Sequence, residues 1–487
     1  MQRNRRYGSM VALTLTLLLV AGCSNPFGSR RGGSNGGSGE ALFPQHVEFR
    51  VFATAGLPHV TLFWARPDSS VTSYQVFRSA SSGDYDFDDP VAELSSVAPD
   101  NSYVDATVTT GTPYFYVIRA LANGSVVGTA AEISATARTG TLDLEFVYVD
   151  PSAADGGDGS YAAPFNTIGA GVASVNPNGT VLLMDGSYQL TASVALTKPL
   201  IIRSVSGSYR FSEAIINAGA IGNTAAVEFL GGSDGSVLQG LRFTAAVRTS
   251  SSQGMIRIGS GSGNDPDDVQ ILHNHLYQNQ GIAISNHMGS GQSIGTVIAG
   301  NWITDHGGGH AVRIDRGLVD GRFENNIIEN VADSGAGINM DRSTGFVIAR
   351  NRFTNISGHG LNLGGATSNF TVSDNLLEHA NAGQRSDGGG IRLYGASHTD
   401  PVLITGNTVK NSFNSIYQRD DDISVSDITI TGNSIISPIS GSMLIVNAAT
   451  TGTLDARGNW FGSAEEDDFK DFIDGDVDYS DWLTAAP

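Results

Sequence analysis

A short segment that ends in asparagine recurs along the second half of the chain, and it constrains the fold more than any other feature. Its copies are VQILHN, TVIAGN, GRFENN, FVIARN, FTVSDN, VLITGN, ITITGN and LDARGN, which end at Asn274, Asn301, Asn326, Asn351, Asn375, Asn407, Asn433 and Asn459. Successive asparagines are 27, 25, 25, 24, 32, 26 and 26 residues apart. Self-similarity at such a period is the sequence signature of stacked repeats. We therefore expect a solenoid.

In most repeats apolar residues alternate with other residues around the asparagine, as in Val269, Ile271 and Leu276. A second apolar pair follows in each of five repeats: Ile282/Ile284, Val312/Ile314, Ile338/Met340, Leu361/Leu363 and Ile391/Leu393. Alternation of period two is typical of β-strands with one buried face. Because one coil cannot bury its inward side chains alone, the coils must stack. We expect the asparagine to lie at a turn in a left-handed conformation, with its amide bonded to the asparagine one coil away.

The two ends of this region resemble those of pectate-lyase-like β-helix proteins. The entry segment YVDPSAADGGDGSYAAPFNTIGAGVASV begins at Tyr148, and the closing motifs are GNWFGS at Gly458 and VDYSDWL at Val477. The resemblance implies a right-handed parallel β-helix over residues 139–487, with a short helix at 166–175 capping the first coil. The architecture hosts lyases, hydrolases, epimerases and adhesins, so it leaves the activity open.

Residues 43–138 show short alternating strands separated by turn signals, a pattern typical of a β-sandwich. The strands include VTLFWAR, SYQVFRS and PYFYVIRAL. This segment resembles a fibronectin type III domain. The resemblance implies that Trp64 lies in the core and that Tyr114 is a corner tyrosine whose hydroxyl bonds nearby backbone. The predicted fold class is therefore all-β, with a fibronectin type III-like β-sandwich followed by the solenoid.

The N-terminus has the pattern of a lipoprotein signal. A basic start and an apolar run of about a dozen residues, too short to span a bilayer, precede Val20-Ala21-Gly22-Cys23. This resembles the bacterial lipobox, which implies removal of residues 1–22 and lipidation of Cys23, the chain's only cysteine. Residues 23–42 are rich in glycine and serine and predict a flexible tether. The resemblance, with Ser24 after the cysteine, implies a lipid-anchored cell-envelope protein at the outer membrane.

Composition excludes several function classes. A formal net charge of −20 argues against a nucleic-acid partner, whose binding depends on clustered basic residues. A single cysteine excludes a disulfide framework and a cysteine-ligated structural zinc. The partner predicted here is instead an extracellular or cell-wall polysaccharide, with membrane contact only through the lipid anchor.

The outward residues of the strands that follow each asparagine turn predict a binding face. In order they are Ala283, Arg313, Asn339, Asn362 and Arg392. Polar and cationic side chains one coil apart suit an extended polysaccharide, and insertions on one face of a solenoid often build its binding surface. Residues predicted to contact substrate are His310, Asn339, Asn362, Arg385 and Tyr394. The long linker 380–390, which holds Arg385 and Asp387, would stand over Arg392. The alternative is an ordinary solvated surface.

Two kinds of catalysis fit this face. Gly358-His359-Gly360 and Arg392-Leu393 resemble elements of polygalacturonases, which implies a hydrolase with Asp315 and Asp341 as acid and base. The chain departs from that family because Asn339-Met340-Asp341 replaces the paired aspartates and Tyr394 replaces the substrate-binding lysine.

A lyase needs a base beside a uronate carboxylate and a group that neutralises that carboxylate. Resemblance to pectate-lyase-like enzymes implies arginine, either Arg313 or Arg392, together with calcium held by Asp315 and Asp341. The candidate catalytic residues are therefore Arg313, Asp315, Asp341, His359 and Arg392. Of the two enzyme classes, a lyase fits better than a hydrolase. A non-catalytic carbohydrate-binding, adhesive or structural surface protein remains the alternative.

Overall fold

The chain divides into two compact units. A computed structural model describes residues 49–54, 57–95, 98–244, 254–259, 265–286, 291–315, 317–365, 367–395, 401–419, 425–436, 438–449 and 451–487. The first unit takes its described residues from Met1–Thr141 and Val205–Phe211, and the second comprises Leu142–Ser204 and Ser212–Pro487. The predicted signal peptide, Cys23 and the tether lie outside the described residues.

Two antiparallel sheets form the first unit. One sheet contains Val51–Ala53, Val60–Ala65 and Asp100–Asp105, and the other contains Ser73–Ser79, Ala92–Leu94, Pro113–Ala122, Ser125–Thr129 and Ile133–Thr136. Trp64 is fully buried and packs edge-on against Tyr74, with ring centroids 5.3 Å apart. The hydroxyl of Tyr114 accepts a hydrogen bond from the backbone N–H of Thr109 at 3.3 Å, the contact predicted for a corner tyrosine. Assignment of this unit to the fibronectin type III class stays a prediction.

Three long parallel sheets form the solenoid, and each strand pairs in register with the strands one coil before and after it. The first sheet contains Phe146–Val149, Thr180–Leu183, Ile201–Ser204, Val237–Gln239, Gln270–Leu272, Val297–Ala299, Arg322–Glu324, Val347–Ala349, Phe370–Ser373, Val402–Thr405, Ile428–Thr431, Leu454–Asp455 and Val477–Asp478. The second contains Gly186–Gln189, Ala214–Asn217, Arg242–Thr244, His275–Tyr277, Trp302–His306, Ile327–Val331, Arg352–Ile356, Leu376–Ala380, Thr408–Lys410 and Ser434–Ile436. The third contains Val194–Leu196, Val227–Phe229, Gly254–Ile258, Ile282–Asn286, Val312–Ile314, Ile338–Asp341, Leu361–Gly364, Ile391–Tyr394, Ile416–Gln418, Ile445–Asn447 and Ile473–Gly475. A two-stranded parallel sheet, Ser293–Ile294 with Leu318–Val319, lies beside them.

One continuous apolar core runs along the inside of the solenoid. In the coils around the predicted face it includes Ile314, Met340, Leu363 and Leu393, each fully buried. The predicted alternation of side chains along each strand is confirmed, because these buried residues alternate with residues whose side chains point away from the core.

The eight asparagines of the repeat form a buried ladder. Each of the first seven donates its side-chain N–H to the Oδ1 of the next at 2.9–3.1 Å. The predicted contact between asparagines one coil apart is therefore confirmed. The predicted left-handed conformation is wrong, because the positive φ belongs to the preceding residue, for example 56° at Arg350 and 66° at Gly406. The asparagine must point its amide inward to reach its neighbour, and the sharp bend consequently falls one residue earlier.

A short helix lies at the start of the solenoid, as the resemblance implied. It spans Ile168–Ser174, which is shorter than predicted, because Thr167 is its N-cap and accepts a hydrogen bond from the N–H of Ala170 at 3.3 Å. Turns of 3₁₀ helix lie at Gly219–Ile221, Glu466–Asp468 and Lys470–Phe472. Across the described ranges, no helix combines the length and the apolar character needed to cross a membrane.

Candidate functional site

The third sheet aligns the outward side chains of successive coils. Arg313 pairs in register with Asn339, Asn339 with Asn362, and Asn362 with Arg392. The same column extends back from Arg313 through Ser285 to Arg257, and it continues to Tyr417 after Arg392. We name Arg313, Asn339, Asn362 and Arg392, with the side chains around them, the third-sheet face.

The prediction that Ala283 stands in this column is wrong. Ser285 pairs with Arg313, and the inward positions of that strand are Ile284 and Asn286. Asn286 lies where the other coils carry an apolar residue, and its Oδ1 accepts a hydrogen bond from the N–H of Asp315 at 2.7 Å. The repeat pattern has two apolar residues at the inward positions of each strand, so the polar Asn286 at such a position caused the prediction to be two residues out of register.

Hydrogen bonds join the column across three coils. Arg392 donates from Nη1 to Asn362 Oδ1 at 2.9 Å, and Asn362 donates from Nδ2 to Asn339 Oδ1 at 2.6 Å. Although their side chains point away from the core, these residues are sheltered: the exposed fraction of the whole residue is 9% for Asn339, 8% for Asn362 and 6% for Arg392. Among the residues that the structure describes, buried Arg392 Nε has no hydrogen-bond partner. The column therefore holds a cation that little water reaches.

The linker after Ala380 brings two more charged groups to Arg392. Asp387 lies 3.5 Å from Arg392 Nη2 through Oδ2 and 3.4 Å from Arg385 Nη2 through Oδ1. The guanidinium of Arg392 also lies 4.9 Å from the ring centroid of Tyr394. The structure thus brings Arg385, Asp387, Arg392 and Tyr394 together, as the position of the linker predicted.

His359 and His310 lie in register two coils apart on the approach to these strands. Burial, followed by the charge of Arg392, lowers the pKa of His359 to about 3. Burial, followed by Arg313, lowers the pKa of His310 to about 4. His359 Nδ1 accepts a hydrogen bond from the N–H of Gly389 at 3.4 Å, and His310 Nδ1 accepts one from Ala336 at 3.0 Å. Both imidazoles are neutral near pH 7.

Asp315 and Asp341 lie one coil apart at the ends of their strands, as predicted. Asp315 Oδ1 accepts a hydrogen bond from Arg313 Nε at 2.6 Å, and Asp341 Oδ2 accepts one from Arg342 Nη2 at 2.9 Å. Tyr394 stands in the same register two coils further on, and burial, followed by Asp341, raises its pKa, so it is a neutral phenol.

The two aspartates do not by themselves fit a calcium ion. Calcium takes 6–8 oxygen ligands, whereas the described residues contain no group of three or more His, Cys, Asp or Glu side chains that could hold a metal. Arginines also bond Asp315 Oδ1 and Asp341 Oδ2. We therefore derive no step through calcium.

Two asparagines that sequence reasoning missed hold the linker in place. Asn381 accepts from the N–H of Arg385 at 3.1 Å and donates to its carbonyl at 3.0 Å. Asn414, one coil on, donates to the carbonyl of Gly388 at 3.1 Å. Neither belongs to the repeat ladder: Asn381 lies at the start of the longest insertion, and Asn414 lies one coil on, where the repeat pattern gives no signal.

Comparison with known families identifies the architecture. Residues 213–377 and 254–435 match the family model for a right handed beta helix region. The solenoid is a right-handed parallel β-helix. No curated protein matches the chain.

Several solved structures are similar at low identity. The A-module of mannuronan C-5 epimerase AlgE6 from Azotobacter vinelandii is 15% identical with a TM-score of 0.45, covering 64% of this chain and 91% of that one. Pectate lyase Pel9A is 13% identical with a TM-score of 0.33, covering 70% and 78%. An Fn3-like protein from Clostridium thermocellum is 29% identical with a TM-score of 0.16, covering 19% and 91%. At these values the similarities carry no argument about activity.

Proposed function

We propose that the third-sheet face binds an acidic polysaccharide, with a uronate carboxylate at Arg392. The observation that carries the proposal is the sheltered guanidinium, which has one N–H without a partner at the end of a hydrogen-bonded carboxamide column. A carboxylate is the group that a guanidinium binds best, through two parallel hydrogen bonds. Asn362 and Asn339 offer further hydrogen bonds to hydroxyls of the neighbouring sugars.

The spacing of the column suits a linear polymer. Arg313 and Arg392 stand three coils apart, and coils stack at about 4.8 Å. The two arginines are therefore separated by about 14 Å along the solenoid, which spans several sugar units of an extended chain. A ligand that reaches both must be a polymer, because a single sugar bridges only one coil step.

A second function, β-elimination, is favoured by the grouping of His359, Arg392 and Tyr394. Arg392 would neutralise the uronate carboxylate, which acidifies the adjacent C–H. His359 would take that proton on Nδ1, giving up the hydrogen bond from the N–H of Gly389, as a C=C bond forms and the glycosidic C–O bond breaks. The Tyr394 hydroxyl would supply a proton to the leaving oxygen.

Hydrolysis by Asp315 and Asp341 has less support. A hydrolase needs one carboxyl group protonated to serve as general acid. Each of these side chains instead accepts a hydrogen bond from an arginine close in sequence, a contact that competes with that role.

Titration of the purified protein with polygalacturonate, alginate and a neutral galactan tests the proposal, while absorbance of unsaturated uronate is recorded in parallel. We expect binding to the acidic polymers and a loss of at least tenfold in affinity for Arg392→Gln. Arg352→Gln, on the outward side of the second sheet, is the matched control and should bind like the wild type. Unsaturated product would establish elimination; binding without product would assign a non-catalytic role. Equal affinity for the neutral galactan would contradict the assignment of Arg392.

We also propose that Cys23 carries a lipid anchor at the outer membrane and that the first unit is a fibronectin type III-like spacer. The lipobox-like segment and the unique cysteine support the anchor. The buried Trp64 and the Tyr114–Thr109 contact support the spacer. Mass spectrometry of the N-terminus of the mature protein tests the anchor, and an unmodified Cys23 would exclude it.

A further inference from the structure

We propose that the Asp387 carboxylate takes the place of a substrate carboxylate beside Arg392 and is displaced when an acidic polysaccharide binds. This inference rests on the proposed function and adds an internal competitor to it. The site is the same, but the role of Asp387 in it would be to weaken binding and to select acidic ligands.

The contacts of Asp387 are long. Its two oxygens lie 3.4 Å from Arg385 and 3.5 Å from Arg392. Charge-assisted hydrogen bonds between arginine and carboxylate are usually about 2.7–2.9 Å. Asp387 therefore marks the position of an anion without forming the short bonds that an unconstrained anion would form.

Exposure differs between the two partners. The side chain of Asp387 is 48% exposed, whereas that of Arg392 is 7% exposed. On release, Asp387 regains water, but Arg392 has little water to regain. A carboxylate that replaces Asp387 therefore stabilises the charge of Arg392. The released Asp387 is stabilised by water instead, so its departure costs little free energy.

Arg392 also has binding capacity that Asp387 leaves unused. Nη1 donates to Asn362, Nη2 faces Asp387, and Nε is buried without a partner. A carboxylate can pair with two guanidinium N–H groups at once. Nε is buried in the present arrangement, so a uronate that is not tied to the linker could pair with it only once Asp387 has moved away.

The linker does not depend on Asp387 for its position. Asn381 clamps both backbone groups of Arg385, and Asn414 holds the carbonyl of Gly388. The N–H of Gly389 donates to His359. Removal of the Asp387 charge should therefore leave Arg385 and Arg392 in place.

The test compares Asp387→Asn with Glu378→Gln in the full protein. Glu378 pairs with Lys410 at 3.2 Å on the second sheet, so each variant removes one carboxylate from an ion pair. Both are titrated calorimetrically with polygalacturonate and with neutral galactan, and their melting temperatures are compared with that of the wild type. We expect Asp387→Asn to bind polygalacturonate about three- to tenfold more tightly, with no change for galactan. Glu378→Gln should stay within about twofold of the wild type.

The outcomes separate this inference from the proposed function. If the wild type binds polygalacturonate and Asp387→Asn binds it equally or more weakly, the competitor role is wrong and the site assignment survives. If only Asp387→Asn binds, the aspartate blocks the site and the inference is supported. If neither protein binds the acidic polymer, both the function and the inference fail.

Discussion

At the scale of single residues, buried histidines make the stability of the folded protein depend on pH. His306 is almost fully buried, donates from Nε2 to the carbonyl of His310 at 3.0 Å, and has its Nδ1 3.4 Å from Asn279 Nδ2. Burial, the largest cause, lowers the pKa of His306 to about 4. Because both ring nitrogens are engaged in the neutral form, protonation would place a charge where water cannot reach it.

We predict that the free energy of unfolding falls as the pH is lowered from 6.5 toward 4. The unfolded chain binds a proton near pH 6.5, whereas folded His306 binds one only near pH 4, so the unfolded state gains protons first. This single group accounts for at most about 3 kcal/mol. His275 and His359, whose pKa values burial lowers to about 3, act in the same direction. Denaturant unfolding between pH 7 and pH 4 measures the slope.

His306→Gln identifies the contribution of that residue. The variant should be less stable at pH 7, because it loses a buried hydrogen bond, but its stability should depend less on pH. His379→Asn is the matched control at an exposed histidine with φ of 59°, which asparagine tolerates. The same slope in His306→Gln and in the wild type would rule out His306 as a source of acid sensitivity.

At the scale of the element, the asparagine ladder links the coils. The side-chain N–H groups of Asn351 donate to Asn375 Oδ1 and to the carbonyls of Phe323 and Ala349. Its Oδ1 accepts from the backbone N–H and from the side-chain N–H of Asn326. We predict that Asn351→Ala destabilises the solenoid by about 3–5 kcal/mol, because several buried partners lose their hydrogen bonds at once. Asn355→Gly, at an exposed left-handed position of the strand Arg352–Ile356, should cost less than about 1 kcal/mol. If chemical denaturation shows that the two variants lose similar stability, the buried hydrogen-bond network is not the source of the loss.

A glycine in the turns is constrained by the coil below it. Gly345 has φ of 70°, and a Cβ there would overlap Asp320 Oδ1. Gly235 has nearly the same φ, 71°, but open space around the Cβ position. Gly345→Ala should therefore lower the free energy of unfolding more than Gly235→Ala does. Because no atom obstructs the Cβ at Gly235, the second variant measures the conformational cost alone, about 1 kcal/mol. Asp320→Ala should recover part of the difference, and if it does not, the strain lies in the backbone alone.

The elements were predictable where the repeat is regular, and not where a single residue changes role. Period and alternation fixed the ladder and the register of Arg313, Asn339, Asn362 and Arg392. They misplaced Ala283, because Asn286 fills an inward position that the pattern reserves for apolar residues. They also missed a second left-handed position four residues after the ladder, which recurs at Asp305, Asn330, Asn355 and His379. The side chains at these positions differ in type. The feature that they share is the left-handed backbone conformation, which a pattern of residue types does not reveal.

Parts of the site lay beyond any repeat pattern. The sequence placed Asp387 on the linker over Arg392, but its contacts depend on how Asn381 and Asn414 fold that linker. The pKa shifts of the histidines depend on burial, which a count of residues does not supply. Local polarity suggested an exposed face, whereas the structure shelters Arg392.

For the whole molecule, net charge and site charge have opposite signs. The chain carries a formal net charge of −20, yet the proposed ligand is a polyanion that binds at arginines. Electrostatic interactions reach about 30 Å at 0.01 M ionic strength and about 8 Å at 0.15 M. At low salt the whole chain repels the ligand, and at physiological salt only nearby groups act on it.

We predict that polygalacturonate associates faster as ionic strength rises from 0.01 to 0.15 M, the reverse of the behaviour of nucleic-acid-binding proteins. Screening removes the long-range repulsion, while the contact with sheltered Arg392 is screened less because water and ions reach it poorly. Dissociation should therefore accelerate less than association does, and affinity should hold or improve. Stopped-flow association with labelled polymer measures both rates, with neutral galactan as the control that salt leaves unchanged. Association that slows steadily with salt would mean that exposed arginines, rather than the sheltered column, capture the polymer.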